Sequence, residues 1–506
     1  MSIRRSLVAV LTVSLAAFLC ASCAESGADD WQPPTVVRVE GCKQAQAISP
    51  MYGIVFGSAI ERTGQAAAPL APVEDTTYVL LRPGELLGIE GSGPAFPYAR
   101  ADGTTLSFKV EDKGEEARML LAGKTVAVGL GEKDEQGWAW LREAPAEDLA
   151  GVRSLVIFLS PAQGEAGQAL SDAQRGALAR LAKANPRVGL VLNDAAVLRT
   201  ALEMFDPPWL SFGNLALSAE ARALLAAEPN LHTLMMNVEA DSDLGFLPRL
   251  SRLRTLFISE WQGQGKEAPP PTLPTIPSLR TLIAFGTEMK DLGPVGDQPN
   301  LEELALVMAG DLVDVGRLAE MPGLRTLSLQ GCKELKDLSA LSALKDLRWL
   351  ALPPQTTQEQ FARICTEHAD LVVLHAVSSK EITDLAPLKR LHGLRVLSVC
   401  EVKAPLDPVA DMKSLRLLGV GLTSPDKKEG DEEDTEQKPR DEEDKGPEPI
   451  EMAVVRIMKA NPDLAVVEVS PMCLGSGWIL VLAPMAAGAW WLARRRQRCR
   501  TAVRHG

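Results

Sequence analysis

The stretch Leu324-Arg-Thr-Leu-Ser-Leu-Gln-Gly-Cys332 decides the fold of this chain. Its first, fourth and sixth residues are leucines, and its second half alternates apolar and polar side chains. Alternation with a period of two places the leucines on one face of a short strand. A single strand cannot bury that face alone, so the pattern predicts several units stacked around a shared core.

The core of this stretch, Leu-x-x-Leu, occurs nine times at near-constant spacing. The units begin at Leu231, Leu253, Leu279, Leu301, Leu324, Leu347, Leu371, Leu394 and Leu415, in steps of 21 to 26 residues. A period of this length is the signature of a solenoid. Units of about 22 residues leave little room for a full helix on the return path. We therefore expect most return segments to be extended or 3₁₀-helical.

The repeats resemble bacterial leucine-rich repeats of the short, internalin-like class. The unit quoted above matches L-x-x-L-x-L-x-x-N/C, with Cys332 in the Asn/Cys position, and recurring Asp-Leu pairs such as Asp337-Leu338 are also of this type. Elsewhere the Asn/Cys position departs from the pattern and holds Trp261, Thr287, Ala309, Ser379 and Val402. The resemblance implies a horseshoe with a parallel sheet on its concave side, and it is strong over residues 231–421.

Some units are longer and helical. Apolar residues at helical spacing predict helices over Ser171–Ala184, Ser218–Ala227, Thr357–Glu367 and Ile450–Ala460. Proline ends three of them, at Pro186, Pro229 and Pro462. These marks extend the array to further strands near Val152–Leu159, Val188–Leu192, Trp209–Phe212 and Leu464–Val469. The predicted repeat domain therefore covers residues 148–470 and contains about a dozen strands.

The amino-terminal region, residues 25–147, lacks the repeat. Short runs rich in Val, Leu and Thr predict strands near Thr35–Val39, Thr77–Leu81, Leu106–Val110 and Thr125–Gly129. We expect a small, mainly-β domain that caps the solenoid. The predicted fold class is an α/β solenoid with this amino-terminal domain and one carboxy-terminal transmembrane helix.

Both ends of the chain point to export and membrane attachment. Residues 1–24 have the layout of a signal peptide, with either ordinary cleavage or lipidation at Cys23. Residues 474–493 carry no charge and precede an arginine-rich tail, 494–506, which predicts a membrane span with a cytoplasmic tail. The same order also resembles carboxy-terminal sorting signals in which the span is removed. Either way, we expect a protein of the cell envelope with its repeats on the exported side.

Charge excludes one class of partner. The net charge is −13, which argues against nucleic-acid binding. Residues 424–449 are strongly acidic and nearly free of apolar side chains, so we expect a disordered loop there. It is either a solvated spacer or a site for cations or a basic partner.

Motifs for catalysis are absent. Gly123-Lys124-Thr125 lacks the preceding glycine of a phosphate-binding loop, no histidine pair has the spacing of a zinc-binding helix, and no Cys-x-x-Cys pair survives export, since Cys20 and Cys23 belong to the predicted signal peptide. We predict no cofactor, no metal and no enzymatic activity. The alternative is an unrecognised enzyme within residues 31–147. The pairing of Cys42, Cys332, Cys365, Cys400 and Cys473 stays open, and a buried, hydrophobe-like role is the preferred interpretation for the middle three.

The side chains that alternate with the leucines along each strand are usually polar, but many of them are apolar in this chain. These positions form the concave face of a leucine-rich-repeat sheet, and an exposed apolar strip signals a partner. The predicted binding residues, called the concave strip below, are Thr255, Phe257, Ile283, Phe285, Glu303, Val307, Ser328, Gln330, Trp349 and His375. The alternative is that the amino-terminal domain or the acidic loop covers this face.

Together these features predict a non-enzymatic envelope protein that binds a protein or peptide on the concave strip. A structural component that associates with copies of itself is the alternative.

Overall fold

The computed structural model describes residues 33–40, 45–48, 58–65, 69–81, 86–89, 93–97, 106–111, 118–121, 124–131, 135–158, 170–192, 195–212, 219–263, 268–421 and 449–469. The predicted signal peptide, the acidic stretch up to residue 448, the predicted membrane span and the basic tail lie outside these residues. Within them, no helix is both long enough and apolar enough to cross a bilayer.

Nine strands of the described chain precede the repeats. They are β1 (Thr35–Glu40), β2 (Ala45–Ile48), β3 (Ser58–Arg62), β4 (Leu70–Leu81), β5 (Leu86–Ile89), β6 (Gly93–Pro97), β7 (Leu106–Glu111), β8 (Arg118–Leu121) and β9 (Lys124–Gly131). The four predicted strands are found within β1, β4, β7 and β9. The other five lie in segments where the apolar runs are too short or too interrupted to predict.

Thirteen parallel strands then follow, and these form the repeat sheet. They are β10 (Ser154–Phe158), β11 (Gly189–Leu192), β12 (Trp209–Phe212), β13 (Thr233–Val238), β14 (Thr255–Trp261), β15 (Thr281–Phe285), β16 (Glu303–Val307), β17 (Thr326–Ser328), β18 (Trp349–Ala351), β19 (Val373–His375), β20 (Val396–Val399), β21 (Leu417–Val420) and β22 (Ala465–Glu468). Equivalent leucines lie side by side, as Leu327 does beside Leu350 and Leu350 beside Leu374. The predicted register of the repeat is confirmed.

Return segments are of two kinds: some contain an α-helix and others a 3₁₀ helix. The helices are α1 (Glu135–Glu143), α2 (Ala146–Gly151), α3 (Asp172–Ala184), α4 (Ala195–Met204), α5 (Ala219–Leu225), α6 (Gln358–Glu367), α7 (Asp407–Ala410) and α8 (Ile450–Ala460). Capping boxes begin two of them, Ser171 with Gln174 and Thr357 with Gln360. The short returns hold 3₁₀ helices at Leu247–Arg249, Gly293–Val295, Gly316–Glu320, Ser339–Ala343 and Ala386–Arg390. The four predicted helices and the expected 3₁₀ returns are thus confirmed.

The Asp-Leu pairs shape the turn that leads into each 3₁₀ return. In five repeats the aspartate Oδ1 accepts a hydrogen bond from the backbone N–H two residues later, over 2.7 to 2.9 Å. Four of these aspartates precede leucine (Asp243, Asp291, Asp337 and Asp384), and Asp314 precedes valine. This local bond favours a turn over further strand. The following apolar residue then points into the core.

The Asn/Cys position is filled by different hydrogen-bonding groups, as its irregular sequence predicts. The Cys332 thiol donates to the carbonyl of Leu306 at 3.3 Å, and the Trp261 indole donates to the carbonyl of Pro271 at 3.0 Å. Thr287 instead accepts from the N–H of Met289 at 3.2 Å. Cys332, Cys365 and Cys400 are all buried thiols, in agreement with their preferred interpretation.

The amino-terminal strands join the repeat sheet and close it into a ring. β9 pairs in parallel with β10 at one end of the repeats, and β22 meets β3 at the other end through Val467 and Ala59. Between these ends the strands run β3, β4, β1, β7, β8, β9. The result is a single sheet of 19 strands. The amino-terminal region therefore does more than cap one end of the solenoid, because its strands reach both ends.

Candidate functional site: the inner face of the sheet

The sheet separates two apolar clusters. The leucines of the repeat, such as Leu327 and Leu350, belong to a spine that packs between the strands and the return segments. The alternate side chains form a second cluster, called the inner cluster here. Its members are Val36, Leu80, Val191, Trp209, Met235, Phe257, Ile283, Phe285, Ala305, Val307, Trp349, Val373, Val377, Val396, Cys400, Leu417, Val467 and Val469.

The structure brings the predicted strip together on adjacent strands. Phe257, Ile283 and Ala305 are consecutive register partners, and Phe285 lies beside Val307. Trp349 and His375 lie one strand apart with ring centroids 5.9 Å from each other. Six of the ten predicted residues thus lie on or beside one continuous surface. They are Phe257, Ile283, Phe285, Val307, Trp349 and His375.

The strip is covered, contrary to the expectation of an exposed surface. Nine of its ten residues are at most 8% exposed, and Gln330 is half-buried. Val36 of β1 and Leu80 of β4, which are register partners, belong to the same inner cluster. The amino-terminal strands thus contribute to the cover, which was the alternative interpretation of the sequence. Burial of a long apolar face also explains why charged residues are rare on it.

Two pairs of polar side chains within the inner face lie at hydrogen-bonding distance from each other. Glu303 accepts a hydrogen bond from the Thr281 hydroxyl at 2.9 Å. His375 Nδ1 lies 2.9 Å from Ser398 Oγ. Such pairing reduces the cost of burying polar atoms in an apolar surrounding.

His375 is the most strongly perturbed group of the inner face. Burial alone lowers the pKa of this imidazole from its ordinary value to about 3. Within the described part of the chain, no residue hydrogen-bonds to its Nε2, and the same is true of Ser328 Oγ. The register places Ser328, Ala351, His375 and Ser398 in one row across four strands.

This serine and histidine pair is poorly suited to catalysis. A Ser–His nucleophile needs an imidazole whose pKa is near the working pH and a third group that orients it. The pKa of His375 is far below neutral, and the residues in its row are alanine and serine rather than a carboxylate. Among the described residues, no cluster of His, Cys, Asp and Glu could hold a metal ion.

Residues of the outer repeats were missed by the sequence-based list. Val191, Trp209 and Met235 extend the strip before β14, and Cys400, Val467 and Val469 extend it after β19. The signal was present, since Trp209 occupies the position equivalent to Trp349 in its own repeat, and the other five occupy the position equivalent to Phe257 or Phe285.

No protein-family model and no curated protein sequence matches the chain. The solved structures to which it is similar include an internalin (inlF) from Listeria monocytogenes, with 17% identity and a TM-score of 0.34, covering 60% of this chain and 80% of that one. An internalin C2 (inlC2) from the same species shows 17% identity and a TM-score of 0.27, covering 41% of this chain and 93% of that one. At this identity the likeness concerns the fold.

Three features of the chain describe the same stacked repeat: the leucine spacing, the parallel pairing of β10 to β22 and the shared spine. The repeats of this chain therefore have the spacing, strand pairing and core of leucine-rich repeats.

Proposed function

We propose that the protein is a non-enzymatic recognition protein of the cell envelope that binds a protein or peptide partner on the concave strip. The observation that supports it is the unbroken apolar inner face, with the aromatic side chains of Phe257, Phe285 and Trp349 in one cluster. Large aromatic side chains are the usual anchors of protein interfaces. Attachment by residues 474–493, and lipidation at Cys23, are parts of this proposal that rest on the sequence alone.

Binding on this face requires the amino-terminal strands to move. Among the described residues, the pairing of β22 with β3 is the weakest junction of the ring, because it consists of one residue pair, Val467 with Ala59. The neighbouring junctions β21–β22 and β3–β4 have four pairs each. We infer that the ring opens between β22 and β3, and that a partner competes with the amino-terminal strands for the inner face.

Three native thiols can report this opening. Cys400 lies in the inner cluster, where its thiol donates to the carbonyl of Val469 in the last repeat at 3.0 Å. Cys332 and Cys365 lie in the spine, where burial raises the pKa of each to about 12. Local opening exposes Cys400 alone, whereas global unfolding exposes all three.

The experiment is alkylation of the native protein, followed residue by residue with mass spectrometry. We expect Cys400 to be modified at least about tenfold faster than Cys332 and Cys365, since local opening requires less free energy than global unfolding. Equal rates at the three cysteines would mean that the inner face becomes accessible only when the protein unfolds, and the proposed route to binding would be wrong.

Partner binding itself can be tested with a photo-crosslinking amino acid at Gln330, the one half-buried residue of the strip. The matched control carries the same group at Val313, which is 51% exposed on the outer surface. In cells, we expect a cross-link from position 330, but not from 313, to one distinct protein. Cross-links only to a second copy would favour the self-associating envelope component instead, and only intramolecular products would contradict both.

A further inference from the structure

A row of arginines lies along the rim where the repeat strands begin. Arg254, Arg280, Arg325, Arg348, Arg395 and Arg416 each precede the first residue of a strand. The remaining two positions of the row hold Glu302 and Val372. The backbone N–H at each position donates to the carbonyl at the position before it, over 2.7 to 2.8 Å. The series begins with the N–H of Arg280, which donates to Arg254, and ends with the N–H of Arg416, which donates to Arg395. With about 4.8 Å between neighbouring strands, the row is about 34 Å long.

The row carries a charge opposite to that of the protein. Six arginines and one glutamate give it a formal charge of +5 in a chain of −13. Arg280 forms an ion pair with Glu302 and Arg348 with Asp370, both at 3.3 Å. Among the described residues, the other four arginines have no carboxylate within ion-pair distance. Arg254, Arg395 and Arg416 are also exposed. The Arg416 guanidinium donates to the carbonyls of Lys413 and Leu415 at 3.2 and 3.3 Å, and those of Arg254 and Arg395 are available to a ligand.

The opposite rim of the same strands shows that this pattern is not a general property of the repeats. The turns after the strands carry both signs side by side, as in Lys290 with Asp291, Lys336 with Asp337, and Lys380 with Glu381. Charged side chains that contact only solvent need not all carry the same sign of charge. A row in which six of the eight positions are arginine, and none is lysine, therefore suggests recognition of an anion.

The chemistry of the row fits a linear polyanion. A guanidinium group binds a carboxylate or sulfate through two parallel hydrogen bonds. None of the eight positions is aromatic, so bases of a single-stranded nucleic acid would have no stacking surface. A protein partner needs an apolar centre. The exposed large hydrophobic residues of the described chain are Val313 and Met452, and neither lies in the row.

We propose that the arginine row binds a linear acidic polysaccharide. The polysaccharide lies along the rim, and its anionic groups contact successive guanidinium groups. This site is separate from the inner face, so it does not depend on opening of the ring or on the protein partner proposed above.

The test compares two triple variants of the full-length protein that change the charge equally. One is Arg254→Gln, Arg325→Gln, Arg395→Gln, which breaks no ion pair seen among the described residues. The other, on the opposite rim, is Lys290→Gln, Lys336→Gln, Lys380→Gln, at three exposed lysines. Binding to polygalacturonate and to heparin is measured between about 50 and 200 mM salt. Thermal unfolding of both variants confirms that the fold is retained.

We expect the arginine variant to bind about tenfold more weakly, because each exposed ion pair contributes only modestly to affinity. Its salt dependence should fall by about three in slope, because each lost contact lowers the slope by about one. The lysine variant should stay within about twofold of the parent. The proposal is overturned if both triples lose affinity equally, or if neither polysaccharide binds the parent protein. Tighter binding of polyglutamate or single-stranded DNA would assign the rim to a different class of partner and would also overturn it.

Discussion

Acidification should destabilise the protein through the buried imidazole of His375. Its pKa is about 3 in the folded protein, against an ordinary value of 6.5. Below pH 6.5 the unfolded chain takes up a proton that the folded protein does not. Because the folded pKa is the lower one, the stability that His375 confers is complete above pH 6.5 and is lost as the pH falls towards 3.

The magnitude follows from the separation of the two pKa values. At about 1.4 kcal/mol for each unit, the loss is roughly 2 kcal/mol at pH 5 and on the order of 5 kcal/mol at pH 3. A loss of this size is comparable to much of the stability of a typical domain. It should be visible as a lower urea midpoint well before the carboxylates titrate.

The assay is urea unfolding at several pH values between 7.5 and 5 for the parent and for His375→Gln. Glutamine has a similar length, can bond to Ser398 and does not titrate. Burial also lowers the pKa of His368, while it raises the pKa of Glu228 and Glu302, so the parent's own pH profile is a mixture. The difference between the two proteins isolates His375.

We expect the variant to lose roughly 2 kcal/mol less than the parent between pH 7.5 and 5. His392→Gln, at an exposed histidine, serves as the control and should follow the parent. If His375→Gln and the parent show the same dependence on pH, then His375 is not buried in an apolar surrounding, and the inner face is not covered as described.

Two further predictions concern the repeats, and both are measured by the change in unfolding free energy. Gly331→Ala should cost about 1–2 kcal/mol, because its φ is +80° and an added Cβ would lie 3.1 Å from the backbone of Met308; Gly310→Ala, with nothing within 4 Å, should be neutral, and equal costs would contradict the argument. Leu350→Ala should cost about 3 kcal/mol because Leu350 is fully buried in the spine, whereas Val313→Ala on the surface should change stability by less than about 0.5 kcal/mol. A tolerated Leu350→Ala would mean that the spine is not a continuous core.

The repeat sheet could be predicted because it is encoded locally. Each leucine of the spine recurs at a fixed step, and the period of two within a strand fixes which side faces the core. Some helices could also be predicted, because a capping residue precedes them and a proline follows them. The helix between Ser171 and Pro186 is one of these. The helix Ala195–Met204 was missed although its marks are present: Asn193 and Asp194, which are favoured at the start of a helix, precede it, and Pro207 and Pro208 follow its end.

Closure of the ring could not be predicted in the same way. It depends on an antiparallel contact between Ala59 and Val467, which are about 400 positions apart in the sequence, and no periodic pattern encodes such a pairing. The sequence did show that the inner face is apolar. It could not show whether the amino-terminal strands or a partner covers Phe257, Trp349 and their neighbours, because both alternatives require the same side chains.

The central claim is that the amino-terminal strands close the repeat sheet at Ala59 and Val467. Paired residues of antiparallel strands have Cα atoms about 4.5–5.5 Å apart, a separation that a disulfide can span. In the variant Ala59→Cys with Val467→Cys, mild oxidation should join these two cysteines, identified by mass spectrometry, and should slow the alkylation of Cys400. Failure to form this bridge, with Cys400 modified as fast as in the unfolded chain, would show that the sheet is open and its inner face uncovered.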